Sequence, residues 1–376
     1  GSEDFQLGKK LGLPMIPVIS DNADYLPDLG QLSGQNAKKH PEIILDFLTS
    51  NHWAFSVLPY KHRYPACWRC KTELVWKVAD EWYISMDKPD PDDPKKRTYR
   101  QQMISVAKTI RWLPAFGKDR ELDWLKNMHD WLISKKNRYW GLALPIYDCS
   151  CGHFEVVGSR EELEKKSVSG WQEFAGHSPH KPWIDQVKIS CPKCQNPIGR
   201  ISDVGNPWLD AGIVPFSTLP DGWFPADFIT ESFPGQFKNW FYSMIAMSTV
   251  LAKKAPFKTV LGYASLLAED GRPMHKSWGN SIEFNEGADK IGVDVMRFMY
   301  ASQNPVDNML FGFKKADETR RRFHLILWNI YNFFVTYANI DNFPKGDYLF
   351  GKNITLLDRW ILIRLNQTVA DVTAGL

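Results

Sequence analysis

The six cysteines of the chain fall in three close pairs, a spacing that is typical of metal sites. Two of the pairs, Cys149-x-Cys151 and Cys191-x-x-Cys194, together offer four thiolates. Four sulfur ligands complete the tetrahedral shell of a structural zinc ion and leave no open position for catalysis. The spacing therefore predicts a zinc ion that folds an inserted ribbon. The alternative is four unrelated, buried cysteines.

The third pair, Cys67-Trp-Arg-Cys70, offers only two ligands. It is either half of a second zinc site, with His62 as a candidate third ligand and the others outside this chain, or a pair without metal. Paired cysteines in a chain without a secretory signal favour metal binding over disulfides, and they predict a cytoplasmic protein or one of an organelle matrix.

A polar loop from Ala268 to Asn280 contains Asp270-Gly-Arg-Pro-Met-His-Lys-Ser-Trp-Gly-Asn280. It follows a predicted strand and precedes a predicted helix. In such a place the ammonium of Lys276 would neutralise charge on a transferring phosphate in the transition state. On residue types alone, a solvated lysine in a bare loop is the favoured interpretation.

The pair His177-x-x-His180 has the spacing of histidines that hold phosphates at the start of a helix. Gly176, Pro179 and Pro182 surround the pair and argue against a helix. We therefore expect a solvent-facing loop.

The elements that position these residues are predicted from periodicity and turn signals. Residues 1 to about 60 suggest a small α+β module with a helix near 42–48, and residues 65–215 suggest short strands and ribbons. A helix over 237–251, a strand over 258–263 and a helix over 287–301 follow in the order of a nucleotide-binding sheet. A long aromatic helix is predicted over 317–340, and another over 356–369.

Composition limits the function. No apolar run approaches the roughly 20 residues that a membrane helix needs. The 46 basic and 43 acidic residues give a net charge of +3, which argues against a protein that grips nucleic acid by bulk charge alone.

Several blocks, in the family's own order, resemble isoleucyl-tRNA synthetases of class I. The polar loop is similar to the K-M-S-K-S signature, with Pro273 and His275 in place of the first lysine and the first serine, and with Lys276 and Ser277 matching the last two residues. The other blocks are Tyr64-Pro-Ala-Cys-Trp-Arg-Cys70, Ala79-Asp-Glu-Trp-Tyr-Ile84, Asp130-Trp-Leu-Ile-Ser134, Arg138-Tyr-Trp-Gly141 and Phe334-Val-Thr-Tyr-Ala-Asn-Ile-Asp341.

The resemblance implies an α/β fold. It would contain the C-terminal half of a class I synthetase Rossmann-type catalytic domain with zinc-ribbon insertions, a piece of a β-rich editing domain and the start of a helical anticodon-binding bundle. The implied boundaries are 1-64 for the C-terminal part of the editing domain, 65-217 for the connective region with the zinc ribbon, 218-312 for the second half of the catalytic domain, and 313-376 for the start of the helical domain.

The resemblance also implies roles for single residues. Trp208 and Trp240 would be the walls of an isoleucine pocket, and Asp4 would be the editing-site carboxylate. Lys276 would be catalytic, and the residues implied to bind ATP are Glu231, Gln236, Met274, His275, Lys276 and Ser277. Leu209, Ala211 and Gly235 depart from the family, which has Phe, Ser and Asp there.

The implied function is isoleucine-tRNA ligase, which activates isoleucine with ATP and Mg²⁺ and transfers it to tRNA(Ile), with structural Zn²⁺ as the cofactor. The histidine-bearing N-terminal catalytic half is expected to lie outside this chain, so the chain alone is expected to be inactive. The alternatives are a valyl-tRNA synthetase and a non-catalytic zinc-ribbon module that binds tRNA.

Overall fold

The computed structural model describes residues 2–67, 70–136, 138–218, 220, 222–343 and 354–375. Its α-helices are α1 Ser2–Lys10, α2 Pro41–Ser50, α3 Tyr99–Ala107, α4 Phe116–Asn127, α5 Arg160–Lys166, α6 Trp171–Phe174, α7 Pro207–Ser217, α8 Phe233–Gln236, α9 Trp240–Ala252, α10 Phe284–Ile291, α11 Val293–Ala301, α12 Phe313–Thr319, α13 Leu325–Ile340 and α14 Leu356–Gly375. Within these ranges no helix is both long enough and apolar enough to cross a bilayer.

The strands are short. They are β1 Tyr83–Ile84, β2 Arg111–Leu113, β3 Trp131–Leu132, β4 Ser134–Lys135, β5 Ile146–Asp148, β6 Phe154–Val156, β7 Ser167–Ser169, β8 Lys188–Ser190, β9 Pro197–Gly199, β10 Val204–Gly205, β11 Ala226–Ser232, β12 Phe257–Tyr263, β13 Leu266–Ala268 and β14 Met309–Phe311.

The chain forms two compact units. The first contains Gly1–Thr109, Glu121–Pro225 and Lys238–Pro256, and the second contains Ile110–Arg120, Ala226–Phe237 and Phe257–Leu376. This grouping follows contacts rather than chain order, and the boundaries expected from the family resemblance remain a prediction.

The second unit contains a parallel sheet in the order β11-β12-β2. Val260, fully buried at its centre, pairs with Ile229 on one side and with Trp112 on the other. The ring of Phe233 lies on the backbone of Gly262, where an added Cβ would be 1.7 Å from it, so only glycine fits there. The parallel sheet agrees with the predicted α/β class.

The first unit contains antiparallel ribbons. β7, β8 and β9 form a three-stranded sheet, and β5 pairs with β6. Tyr147, Phe174, Val187 and Ile189 are buried among these elements, and all four cysteines of the predicted zinc quartet pack in the same cluster. The prediction of short strands and ribbons after residue 65 is therefore correct for this part of the chain.

Three predictions of secondary structure need correction. The segment 65–215 also contains helices α3, α4, α5 and α6 and most of α7, which we did not predict. The helix expected over 287–301 is two helices, because Gly292 has φ 94° and lies between α10 and α11. The long helix expected over 317–340 contains a π-helical turn, Arg320–His324, between α12 and α13.

Candidate active site and metal centre

The four cysteines of the first two pairs come together. Their sulfur atoms all lie within 4.8 Å of one another, and the Sγ–Sγ distances are 3.5 Å for Cys149 and Cys194 and 3.7 Å for Cys151 and Cys191. A zinc ion with bonds of about 2.3 Å to sulfur needs edges of about 3.8 Å between tetrahedral ligands. All four are free thiols. The geometry therefore fits a closed zinc site.

The backbone shapes the second pair into a knuckle. The N–H of Cys191 donates to the carbonyl of Asn196 at 2.9 Å, and the N–H of Gln195 donates to the carbonyl of Cys191 at 2.8 Å. Gln195 adopts φ 63° to make this turn. Backbone N–H groups of Cys194 and Lys193 point at the Cys191 sulfur and lower its pKa to about 6. The thiolate that a metal requires is thus favoured.

The third pair, Cys67 and Cys70, adopts the same backbone geometry. The N–H of Cys67 donates to the carbonyl of Thr72 at 2.8 Å, and the N–H of Lys71 donates to the carbonyl of Cys67 at 2.8 Å. Lys71 has φ 64°, close to that of Gln195. A hydrogen bond to the Thr72 side chain lowers the pKa of Cys70 to about 7.

His62 does not join the third pair. Its Nδ1 lies 3.0 Å from the carbonyl oxygen of Arg63, and its ring stacks on Tyr60. In the part of the chain that the structure describes, the quartet is the only group of three or more metal-ligating side chains. The Cys67 knuckle thus presents two ligands.

Hydrogen bonds hold the loop that carries Lys276 at both of its ends. The Ala268 N–H donates to the carbonyl of Arg272 at 2.9 Å, which closes a turn at Gly271. The Asn280 side chain holds the second half of the loop. Its Oδ1 accepts the His275 N–H at 2.9 Å, and its Nδ2 donates to the Pro273 carbonyl at 2.9 Å. These hydrogen bonds define the backbone of the loop on both sides of Lys276.

The side chains of this loop point in different directions. Met274 packs on the cluster of Ile291, Val295 and Met296 and anchors the loop. Lys276 and Ser277 are exposed, in a short 3₁₀ turn that ends at Gly279, which has φ 68°. The His275 and Trp278 rings lie 4.4 Å apart at 64°. The Lys276 ammonium is therefore presented to solvent from a fixed backbone.

Glu231 lies at the carboxyl end of β11. Its Oε1 accepts the Ser232 N–H at 2.6 Å and the Tyr263 hydroxyl at 3.1 Å. Partial burial, helped by this bond to the carboxylate, raises the pKa of Tyr263. No motif in the sequence points to Tyr263. The alternation of β12 places it at the strand end, which would have been the only hint.

Two cavities open at the carboxyl ends of β11 and β12, and Tyr263 and Ala264 line both. One has a volume of about 460 Å³ and extends past Ser232 to Tyr300 and Met309. The other, of about 340 Å³, lies against Phe233 and Phe237. Ligands of open α/β sheets bind outside the carboxyl ends of the strands. Gln236, half-buried, ends α8 just after β11.

Trp208 and Trp240 lie in the first turns of two packed helices of the first unit, α7 and α9. Asn206 caps α7 by accepting the Trp208 N–H at 3.1 Å. The helices approach closely at Gly212, where a Cβ would lie 2.6 Å from the Ser243 carbonyl oxygen. Both indoles are half-buried. Asp4 lies in the first turn of α1 and is exposed.

His177 and His180 lie in a loop, as expected. Each imidazole stacks on an indole, His177 on Trp183 and His180 on Trp140. The histidines therefore make ring contacts that their spacing did not predict.

Comparison with known proteins gives one family and a consistent set of relatives. The model of tRNA synthetases class I (I, L, M and V) matches residues 22–311. The isoleucine–tRNA ligase of Saccharolobus islandicus is 33% identical over 100% of this chain and 35% of its own length. Those of Clostridium acetobutylicum, at 34% identity, and Methanothermobacter marburgensis, at 33%, are each covered over 36% of their lengths. The chain thus spans about a third of the curated relatives that it matches.

Proposed function

Because the chain belongs to the class I tRNA synthetases (I, L, M and V), we propose that it is part of an isoleucine–tRNA ligase. The reaction joins the carboxylate of isoleucine to the α-phosphate of ATP and releases pyrophosphate. The aminoacyl group is then transferred to a ribose hydroxyl of tRNA(Ile), which forms an ester and releases AMP. The single observation that carries the proposal is the pinned loop that presents Lys276, and the isoleucine ligases matching the whole chain support it.

Lys276 stabilises the charge that builds on the phosphates as pyrophosphate leaves. The contact is electrostatic, and it is strongest when the ammonium is held in place before the reaction begins. The two hydrogen bonds of Asn280 fix the loop backbone around Lys276 and so supply that preorganisation. ATP enters as its Mg²⁺ complex, a substrate rather than a resident cofactor.

The other ATP contacts come from the sheet edge and from the loop. Glu231, oriented by Tyr263, accepts hydrogen bonds from the ribose, and Gln236 contacts the aminoacyl group. Met274, His275 and Ser277 complete the loop around the phosphates. The cavities at the carboxyl ends of β11 and β12 have volumes suited to a nucleotide.

Isoleucine binds between Trp208 and Trp240. Two indoles make a flat, dry slot that suits a branched aliphatic side chain. Capping by Asn206 and the close packing at Gly212 hold α7 in place. Asp4 serves hydrolysis of mischarged tRNA by pairing with the ammonium of the wrong amino acid, at an editing site that needs residues beyond this chain.

Cys149, Cys151, Cys191 and Cys194 hold one structural zinc ion. The metal cross-links the two knuckles and so stabilises the ribbon around Tyr147 and Phe174, with no part in the reaction. Cys67 and Cys70 hold half of a second site, because their knuckle matches the one at Cys191 in hydrogen bonds and in φ. Its remaining ligands come from polypeptide outside this chain.

The N-terminal catalytic half completes the ATP site. This half would add to the sheet beside β11. Strand β11 pairs with β12 along one edge, and none of the described strands pairs with its other edge. An added parallel strand there would bring further groups to the edge of the sheet where Glu231 lies. The chain of 376 residues is therefore inactive alone.

Isoleucine-dependent exchange of pyrophosphate into ATP tests the proposal. The full-length protein should exchange with isoleucine far better than with valine, and this chain alone should give none. A preference for valine would assign the protein to the valyl enzymes. Exchange with neither amino acid, with tRNA binding retained, would make it a tRNA-binding module instead.

A further inference from the structure

Glu269 joins the loop that carries Lys276 to helix α12. It directly follows β13, and its Oε1 accepts the backbone N–H of Lys315, in the first turn of α12, at 2.9 Å. Gly312, the residue before α12, has no side chain that could accept this N–H. A carboxylate is also favoured at the positive end of a helix. Glu269 therefore caps α12 from a distant part of the chain.

Gly312 leaves the space that the Glu269 side chain occupies. A Cβ added at Gly312 would lie 2.2 Å from Cγ and 2.4 Å from Cδ of Glu269. The backbone of Gly312 has φ 170°, an extended conformation that any residue can adopt. Glycine is thus required at this position for room rather than for conformation. A larger residue would displace the Glu269 side chain from Lys315.

The elements that Glu269 connects are firmly packed. Strands β13 and β14 pair in parallel, with Ala268 beside Phe311, and both residues are buried. Phe311 and the α12 residue Ala316 belong to the apolar cluster on which Met274 of the loop packs. Helix α12 is therefore a fixed support, and the loop is attached to it by a polar contact at Glu269 and to its core by an apolar contact at Met274.

Hydrogen bonds connect the Glu269 contact with the backbone at Lys276. Pro273 forms an antiparallel bridge with Leu267, two residues before Glu269. The Asn280 side chain donates to the carbonyl of Pro273 at 2.9 Å and accepts the N–H of the residue before Lys276, also at 2.9 Å. A shift of the backbone at Glu269 would therefore move the backbone at Lys276.

We propose that Glu269 is a positioning residue for adenylate formation and that it acts through Lys276. This inference rests on the proposed function. By fastening the start of the loop to α12, Glu269 holds the Lys276 ammonium in place before charge builds on the phosphates, which is when an electrostatic contact is most effective. In this role Glu269 contacts no substrate. A carboxylate that only capped α12 would change the stability of the fold without a specific effect on the rate.

A double-mutant cycle in the full-length protein tests the proposal, with the single-turnover rate of isoleucyl-adenylate formation as the readout. Glu269→Ala should lower this rate about tenfold, a part of the loss expected when Lys276 itself is removed. The Kd for isoleucine should not change. In a Lys276→Ala background, Glu269→Ala should have no further effect, because no ammonium remains to be positioned.

Two further variants separate the contact from general effects on α12. Glu269→Gln keeps an acceptor for the Lys315 N–H and should restore most of the rate. Glu318→Ala is the matched control, since it removes a carboxylate of α12 that pairs with the Lys315 ammonium at 3.0 Å, and it should leave the rate unchanged.

Gly312→Ala perturbs the same contact from the side of the helix. Its added methyl group should displace the Glu269 side chain and slow adenylate formation to about the same extent as Glu269→Ala. Combined with Glu269→Ala, which clears the space, Gly312→Ala should cause no additional loss.

Two outcomes would overturn the inference. One is an unchanged rate in Glu269→Ala. The other is an equal loss from Glu269→Ala in the wild-type and Lys276→Ala backgrounds, which would mean that Glu269 acts by a route other than Lys276. A wild-type protein without isoleucine-dependent pyrophosphate exchange would count against the proposed function. Normal wild-type exchange together with either outcome would count against the role of Glu269 alone.

Discussion

The Tyr263 hydroxyl donates a hydrogen bond to the Glu231 carboxylate at 3.1 Å, across the ends of two neighbouring parallel strands. The same carboxylate oxygen also accepts the backbone N–H of Ser232. The two donors fix the orientation of a side chain that we propose contacts the nucleotide. Tyr263 therefore acts as a positioning residue.

Tyr263→Phe in the full-length protein keeps the ring and removes the donor. We expect the KM for ATP in pyrophosphate exchange to rise about tenfold, the scale of one hydrogen bond to a charged group, with a smaller effect on the KM for isoleucine. Thr230→Val is the control, since it removes a hydroxyl from β11, the strand of Glu231, that donates to the Leu261 carbonyl. Equal KM values in Tyr263→Phe and wild type would show that Glu231 needs no support.

Lys276→Ala should slow adenylate formation about a hundredfold, because one preorganised charge contact to the transition state is lost. The Kd for isoleucine should stay nearly constant. Single-turnover measurements separate the two quantities. Arg272→Ala removes a cation from the same loop that already pairs with Asp270, and it should have little effect. A similar loss of rate in both variants would show that Lys276 acts only through the overall positive charge of the loop.

Trp208→Ala should weaken isoleucine binding at least about tenfold, because the pocket loses one of its aromatic walls. ATP affinity of the same variant is the internal control and should not change. Equilibrium binding of each ligand alone is the measurement. Weakening of both affinities together would indicate that α7 had unfolded rather than that the slot had widened.

Cys191→Ser should lower the zinc content by one ion per molecule in protein purified without added metal. A closed site of four thiolates does not tolerate the loss of one ligand without a large fall in affinity. In the chain of 376 residues, which lacks the other ligands that we propose for the second site, Cys70→Ser should leave the zinc content unchanged. Elemental analysis of both variants decides the assignment, and full zinc retention in soluble Cys191→Ser would refute it.

Glu121 makes the stability of the protein depend on pH. Its side chain is fully buried, both carboxylate oxygens lack hydrogen-bond partners among the described residues, and burial raises its pKa well above the ordinary value. The folded state thus keeps a proton that the unfolded state releases. The free energy of unfolding should fall as pH rises from the ordinary carboxyl pKa, near 4.5, toward the raised one.

Glu121→Leu should remove this decline and raise the free energy of unfolding at neutral pH by about 1–3 kcal/mol, the cost of an unpaired buried polar group. Glu121→Gln is the matched variant, because it keeps the polar group and loses only the titration. Urea denaturation at several pH values gives the comparison. A pH profile of Glu121→Gln identical to that of wild type would place the titrating group elsewhere.

Local patterns predicted local structure well. The zinc quartet could be expected because each knuckle brings its own two cysteines together within a few residues. Helix α2, helix α9 and strand β12 were predicted because their apolar residues repeat at a regular period. Helix α3 had a readable signal that we did not use, since Thr98 and Gln101 form a capping box at its start.

The pairing of strands that are distant along the chain could not be predicted from the sequence. Strand β2 has only three residues, and its membership in the sheet depends on Arg111 meeting Thr259. Neither residue type indicates that the other is its pairing partner. For the same reason the Glu231–Tyr263 hydrogen bond, which joins two strands separated by α8 and α9, could not be inferred. The site residues taken from the family resemblance remain predictions.

The pairing of β2 with β12 has a consequence for the newly made chain. As the ribosome releases the polypeptide, all four thiols of the quartet emerge before β12 does, because Cys194 precedes Phe257. If the quartet binds zinc as we propose, the ribbon can take up the metal and fold before β2 has its partner strand. Domains that fold during synthesis generally do so as units. On that proposal, zinc starvation would act early, on the nascent chain, before the parallel sheet has formed.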